Sequence, residues 1–358
     1  MTSDPREQAL WVLSGPKSGD RTQMLALADL LARRHGFPVV EKTLAFHRWE
    51  LLLHLWPRPT VAGLSNTPAA QLNPPWPRLV LTAGRRNELV ALWIKRRSPD
   101  TRVVHLGRPW THPRRFDAVI STAQYSLEAG GNVTVNPLPL HGVETDRLAR
   151  AAEDLAPRLA ELPRPWTVVL IGGDSGPFVF TDAQAMRLAE RVNRLARGGS
   201  ILLSTSARTP PAFAAALESA LHGPRFVFRW GSGDPNPYAG YLALGDRFVV
   251  TAESMSMVTE ALDTGRPVYL FAIEALGDRP WWLRPENYRW KPLSHRVAMA
   301  LAPKRMRRDV TRVMGQLVES GRACWLDESP GPFQPTPVAA NEDLERAARC
   351  VEDLLGLS

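Results

Sequence analysis

The chain has little cysteine, two residues in 358, and both, Cys324 and Cys350, lie near the C-terminus. Two thiols without metal-ligand spacing make neither a zinc site nor a disulfide framework, and they fit a reducing cytosol. Long apolar runs are missing as well. No stretch approaches the ~20 apolar residues of a spanning helix, which leaves a soluble or peripheral protein as the expectation. The opening MTSDPREQALWVLSG has no cationic segment followed by an apolar run, so no signal peptide is expected there. There is no internal repeat and no low-complexity tract.

The motifs that would declare a chemistry outright are also absent. There is no G-x-x-x-x-G-K-[ST] phosphate loop and no G-x-G-x-x-G dinucleotide fingerprint. The loop Ser14 to Asp20 (SGPKSGD) comes nearest, with a spacing wrong for a dehydrogenase. No G-x-S-x-G elbow occurs, which argues against a serine hydrolase. The eight histidines are scattered, no H-E-x-x-H occurs, and Asp234 in GSGDPNPY lacks the second aspartate of a D-x-D site. No metal and no cofactor are therefore expected. With no zinc spacing, RNP-type motif or basic-aromatic interleaving, nucleic acid is not an expected partner either.

What is present is an ordinary globular composition, 44% hydrophobic and 22% charged, long enough for two domains with buried cores. Lys and Arg number 44 against 36 Asp and Glu, a net charge of +8. That surplus fits a plainly solvated arginine-rich surface, or a protein that meets anionic ligands or an anionic membrane.

Strand and helix signals alternate almost throughout, the pattern of an α/β protein with parallel sheets. In the first half, strands are expected at Ala9–Leu13, Val39–Thr43, Leu79–Thr82, Arg102–Leu106 and Ala118–Ser121. Helices should follow the first and third, one carrying Met24, Leu27, Ala28 and Leu31 on one face, the other running through Arg97. The polar, proline-punctuated stretch Glu153 to Pro165 reads as the domain boundary. This divides the chain into an N-terminal domain 1–152, a linker 153–165, a C-terminal domain 166–322 and a tail with a final helix, 323–358. The second half restarts the rhythm with strands at Thr167–Ile171, Ser200–Ser204, Arg225–Arg229 and Arg247–Thr251. Thr181 opens a helix as a capping box with Gln184. Two halves of similar size imply a cleft between two Rossmann-like domains. In such sheets ligands bind beyond the carboxyl ends of the strands.

Four strand-to-helix loops are rich in glycine, hydroxyl and cationic residues: Ser14 to Asp20, Gly84 to Arg86, Gly172 to Ser175, and Ser204 to Thr209. Small residues let the backbone approach a phosphate, and Arg or Lys supplies countercharge. One such loop is a tight turn by default; four on the same edge are a pattern. Asp20 is expected to cap the helix that starts there, a role compatible with general-base work. Lys17 is either solvated charge or a phosphate contact. Arg208 pairs either with a leaving diphosphate or with a neighbouring carboxylate.

The segment Thr251 to Phe271, TAESMSMVTEALDTGRPVYLF, is the most telling. It reads as a strand end, a helix from about Ser254 to Thr264 stopped by Gly265, and another strand. Met255, Val258 and Leu262 share one stripe; Ser256, Glu260 and Thr264 share the opposite one. Backbone N–H groups at the helix start attract phosphate, and a carboxylate one turn on can accept from ribose hydroxyls. Two further surfaces read either as ordinary faces or as membrane contacts. Phe46 to Trp56 stacks Phe46, Trp49, Leu52, Leu53 and Trp56 on one side of a helix. The basic helix Pro303 to Ser320 carries Lys304, Arg305, Arg307, Arg308 and Arg312.

Six stretches together resemble the Elm-type mitochondrial-fission family, whose bacterial members resemble glycosyltransferases of the GT-B fold. They are Gly19-Asp20 with Gln23, Gly84-Arg85-Arg86, Leu170 to Ser175, Ser204 to Pro210, Asn236-Pro237-Tyr238, and Thr251 to Pro267. The resemblance implies a metal-independent glycosyltransferase using a nucleotide-diphosphate sugar. Gly172, Gly173, Ser175, Ser206, Arg208, Ser254, Ser256, Met257 and Glu260 would hold the donor, Glu260 as its ribose contact. Gly15, Lys17, Gly19, Gln23, Gly84, Arg85 and Arg86 would lie on the acceptor side. Asp20 and Arg208 would be catalytic. The implied acceptor is a lipid-linked sugar or lipopolysaccharide, reached by a cytoplasmic protein peripheral at the inner membrane. Where relatives often carry an acidic-histidine segment, this chain has Thr122-Ala123-Gln124-Tyr125. That departure keeps two alternatives open, a non-catalytic membrane-associated adaptor and a nucleotide-sugar epimerase.

Overall fold

Short runs rich in β-branched residues, each followed by an amphipathic helix, leave little choice but parallel strands with helices on the sheet faces. The computed structural model describes residues 8–15, 18–55, 58–65, 72–142, 145–175, 178–273, 309–327, 331–338 and 341–357, and shows two α/β units.

In the first unit the strands are β1 Leu10–Ser14, β2 Val39–Thr43, β3 Leu79–Ala83, β4 Arg102–Leu106, β5 Ala118–Thr122 and β6 Val133–Asn136. They form one parallel sheet in the order β2-β1-β3-β4-β5-β6. Strands β1, β3 and β5 are buried along their whole length, as strands covered on both faces must be. Helix α1 (Ser18–His35) lays Met24, Leu27, Ala28 and Leu31 into the core on one face. Helix α2 (Gly84–Arg97) packs Val90, Ala91 and Ile94 into a second cluster around β1 and β3.

The second unit begins with helix α3 (Thr145–Leu159) and continues through β7 Trp166–Leu170, α4 Asp182–Leu195, β8 Ser200–Ser204, α5 Pro211–Ala220 and β9 Arg225–Phe228. Next come α6 Tyr238–Leu244, β10 Arg247–Thr251, α7 Met255–Leu262, β11 Val268–Phe271, α8 Val310–Glu319 and β12 Cys324–Trp325. Its sheet is parallel in the order β12-β11-β10-β7-β8-β9. Counted within the unit from its far edge, that is 3-2-1-4-5-6, the order of dinucleotide-binding Rossmann sheets. The capping box at Thr181 forms as the sequence predicts: the Gln184 N–H donates to the Thr181 hydroxyl, and the Thr181 N–H donates to Gln184 Oε1.

The expected division of the chain is corrected at two points. The first unit ends at Gly142, and residues 153–159 of the stretch read as a linker belong to α3. Despite its polar sequence, α3 buries Leu155 and Leu159, and Gly240 on α6 lets the two helices come close: a Cβ there would lie 2.7 Å from Leu155 Cδ2. The C-terminal helix α9 (Glu342–Leu355) is no separate tail but part of the first unit. Leu344, Ala347, Ala348 and Val351 join the core under α1. Glu352 accepts from Arg34 at 3.1 Å and meets His35 Nε2 at 2.9 Å, and Arg78 donates to the Leu355 carbonyl at 2.8 Å.

The segment Phe46 to Trp56 also differs from expectation. A 3-10 helix spans Arg48–Leu55, Trp49 is 47% exposed, and Glu50 is buried. Phe46 lies outside it, bridging to Leu64. Trp56, the side chain of Leu52, and Lys304, Arg305, Arg307 and Arg308 lie outside what is described; Arg312, on α8, is exposed. No helix among the described residues is long and apolar enough to cross a membrane.

Candidate functional site

An open parallel sheet splays its helices apart where the strand order reverses, and a crevice opens there beyond the carboxyl ends of the strands. In the second unit the reversal lies between β7 and β10. The loops leaving those strands are Ile171 to Ser175 and Ala252 to Ser254; the loop leaving β8, Thr205 to Pro210, adjoins them.

These three loops are tied together by hydrogen bonds. The Gly172 N–H donates to the Thr251 hydroxyl at 2.9 Å, and the Gly173 N–H to Glu253 Oε1 at 2.9 Å. The Ser206 hydroxyl donates to the Gly172 carbonyl at 2.6 Å, and Thr209 donates to the same carbonyl. Only glycine fits at the crossing. A Cβ on Gly172 would lie 1.9 Å from Glu253 Oε1, and one on Gly173 would lie 2.1 Å from the Arg208 carbonyl oxygen. Arg208 is exposed, with Nη1 3.4 Å from the Asp174 carbonyl.

Sequence reasoning passed over Glu253. It is buried, and withdrawal from water pushes its carboxyl up to about 7, against the lowering effects of the Gly173 N–H and Arg208. The signal was an acid in the short loop between β10 and α7, overlooked because Glu260 occupies the more familiar place in the helix that follows. Glu260 itself is partly buried in α7, where its Oε2 accepts a hydrogen bond from the Tyr238 hydroxyl. Burial first, and Glu260 second, push that hydroxyl well above the ordinary tyrosine range. Helix α7 starts at Met255 after Ser254, whose side chain makes no cap, so its first-turn N–H groups point out uncapped. Met255 and Val258 face the core, Ser256 is exposed, and Met257 and Leu262 are intermediate. Gly265 ends the segment at a φ of +68°. Of the expected donor set, Gly172, Gly173, Ser206, Arg208 and Ser254 meet on this edge, and Ser175 pairs locally with Phe178. Ser206 is occupied with holding the turn.

In the first unit the order reverses between β1 and β3, and there a cavity of about 540 Å³ opens. Gly15, Gly84, Arg85 and Arg86 of the expected acceptor-side residues line it, with Asp20. Asp20 is not a helix cap: α1 starts at Ser18, which puts Asp20 inside its first turn. Gly84 has a φ of +75° with Asp20 Oδ2 3.1 Å from where a Cβ would stand. Gly19 and Gln23 do not line the cavity; Gln23 Nε2 points back 3.4 Å to the Gly19 carbonyl. Lys17 lies outside the described residues.

The sequence reading missed the polar and aromatic lining residues Asn87, Arg108 and Trp110, and gave Tyr125 no place in the cavity. Gly107-Arg108 directly follows β4, and this fifth glycine-cation loop on the same edge was the available signal. Arg108 sits over the Tyr125 ring at 5.3 Å and Arg85 over the Trp110 ring at 4.7 Å. Arg86 Nε is 2.7 Å from Glu50 Oε1. Behind the cavity, Glu88 accepts the N–H groups of Trp110 and Thr111 at 3.0 and 3.2 Å. His105, fully buried, is pushed down to about 3 by loss of solvation. No cluster of metal-ligating side chains occurs among the described residues.

Comparison with known proteins follows from this geometry. The family model of Mitochondrial fission ELM1 matches residues 18–282. The Arabidopsis thaliana mitochondrial fission protein ELM1 is 31% identical over 234 residues, 59% of this chain and 55% of that one, so the chain spans about half that relative's length. The uncharacterized protein RP120 of Rickettsia prowazekii (strain Madrid E) is 23% identical over 305 residues, 73% of this chain and 82% of that one. Among solved structures, the UDP-GlcNAc 2-epimerase from Neisseria meningitidis bound to UDP-GlcNAc aligns at a TM-score of 0.49 and 13% identity, covering 98% of this chain and 100% of that one.

Proposed function

We propose, for a chain that belongs to the mitochondrial fission ELM1 family, that the second unit binds a nucleotide-diphosphate sugar and that the protein transfers the sugar without a metal. The observation that carries this reading is the convergence of Gly172, Gly173, Arg208 and the uncapped start of α7 at the strand-order reversal. Glycine backbone and helix N–H groups receive the diphosphate, and Arg208 adds countercharge. Glu260, oriented by Tyr238, accepts from the ribose hydroxyls. In the transfer step an acceptor oxygen forms its bond to the anomeric carbon, the bond from that carbon to the diphosphate oxygen breaks, and the diphosphate leaves with the electron pair. Charge developing on it is met by Arg208 and the α7 dipole. Asp20 is the proposed acceptor of the hydroxyl proton. A lipid-linked sugar or lipopolysaccharide at the inner membrane face is the proposed acceptor.

Incubation with UDP-, GDP- and dTDP-sugars in EDTA, reading free nucleoside diphosphate, tests turnover. Release that needs an acceptor extract and is lost in Arg208→Ala supports transfer; no release with any donor overturns it. A second reading, an adaptor that binds nucleotide without turnover, is favoured by one feature. The segment after β5 buries Thr122 and Gln124 and offers the cavity Tyr125, with no carboxylate or imidazole in that stretch. Donor binding without release is its mark. An epimerase would isomerise the donor with no acceptor present.

A further inference from the structure

The cavity of the first unit is cationic beyond what a neutral sugar needs. Its lining holds three guanidinium groups, Arg85, Arg86 and Arg108, against one carboxylate, Asp20. Arg86 is engaged with the buried Glu50. Arg85 and Arg108 sit over the rings of Trp110 and Tyr125, at 4.7 and 5.3 Å from the ring centroids. Between them, α2 begins at Gly84 after Ala83, which supplies no side-chain cap. Planar cations beside uncapped helix N–H groups are a site for tetrahedral oxyanions.

A separate observation bears on the rest of the ligand. Asn87 also lines the cavity and is only 4% exposed. Its Nδ2 donates to the carbonyls of Leu13 at 2.8 Å and Ala83 at 3.1 Å. Two carbonyl acceptors fix the amide orientation, so Oδ1 is turned the other way, where it is buried with no hydrogen-bond partner among the described residues. A buried acceptor of this kind calls for a donor from a ligand, since leaving it unmade is costly. A ring hydroxyl set apart from the phosphate supplies such a donor.

We infer that this cavity binds the phosphate ester of a hydroxylated ring, a sugar phosphate either free or carried on a lipid. The phosphate sits between Arg85, Arg108 and the start of α2, and a ring hydroxyl donates to Asn87 Oδ1. The half-exposed Trp110 lies at hand to stack on the ring. This site is independent of any nucleotide bound in the second unit, so the two assignments fail separately.

Isothermal titration of the full chain with glucose 1-phosphate, inorganic phosphate and glucose tests it, alongside sedimentation with vesicles containing or lacking a polyprenyl-phosphate sugar. The expected order is glucose 1-phosphate tighter than phosphate, with glucose alone not measurable. Vesicle binding that needs the phosphorylated lipid assigns the lipid-borne form, and binding of glucose 1-phosphate alone assigns the free form. Arg108→Ala and Arg85→Ala should each weaken binding at least tenfold, and Asn87→Ala, which removes the acceptor, should weaken the sugar phosphate more than phosphate. Arg208→Ala in the second unit should leave the glucose 1-phosphate isotherm unchanged. Arg86 is left intact because its loss would disturb buried Glu50, and thermal melts confirm that each variant is folded. No binding of any phosphate, or binding that survives both arginine variants or is lost in Arg208→Ala, overturns the assignment.

Discussion

The Tyr238 hydroxyl donates its hydrogen bond to Glu260, joining the start of α6 to the middle of α7. A carboxylate held on one oxygen presents the other in a fixed direction, so less rotational freedom is lost when a ligand hydroxyl binds. Tyr238→Phe removes the tether and keeps the ring. It should weaken donor binding about three- to tenfold and lower stability by ~1.5–3 kcal/mol, the worth of a hydrogen bond to a charged group. Calorimetry with the donor, beside thermal melts, separates this positioning role from a merely structural one.

The glycine crossing gives a sharper stability test. Gly173→Ala places a Cβ against the Arg208 backbone and should cost about 1–3 kcal/mol, with donor binding lost as the loop of Ser206 to Thr209 is displaced. Gly315→Ala in α8 meets nothing within 4 Å and should stabilise by up to ~1 kcal/mol. Urea denaturation of both variants reads the contrast.

Much of this was legible in the sequence for one physical reason. A strand buried on both faces must be apolar and β-branched, and the turn that follows it must be small, so strands and their carboxyl-end loops announce themselves. The apolar stripe of α9 is equally visible at Leu344, Ala347, Ala348 and Val351, but nothing local tells which core will accept it. The helical pattern of α3 is masked by its charges and by Pro157 in its last turn. Glu253 and Asn87 are ordinary polar residues in the sequence; only burial gives them a role. The pairing of Tyr238 with Glu260 spans 22 positions and depends on how two helices pack.

Burial of Glu253 predicts a pH dependence. Its carboxyl is lifted to about 7 in the folded chain, above its unfolded value near 4.5. The folded state therefore holds the proton more tightly, and stability falls as pH rises from about 4.5 through 7. Removing that proton costs up to ~3 kcal/mol. Glu253→Gln keeps an acceptor for the Gly173 N–H and cannot ionise. Its melting temperature relative to wild type should rise between pH 5 and pH 8; a constant difference contradicts the burial argument.

Arg86 and Glu50 form a buried-partner pair, with Arg85 a second cation 3.9 Å from the same carboxylate. Arg86→Ala should destabilise by about 2 kcal/mol, because the Glu50 charge loses its close partner while staying out of water. The double variant Arg86→Ala with Glu50→Gln should recover much of that loss, measured as a double-mutant cycle by chemical denaturation.

The central claim, that the second unit takes a nucleotide-diphosphate sugar, is tested most directly by titrating UDP-, GDP- and dTDP-sugars into the wild-type chain and into Glu260→Ala. The account expects saturable one-to-one binding of at least one of the three, weakened tenfold or more in Glu260→Ala, a loss of ~1.4 kcal/mol. Binding of none of them, or binding that Glu260→Ala leaves unchanged, would contradict it.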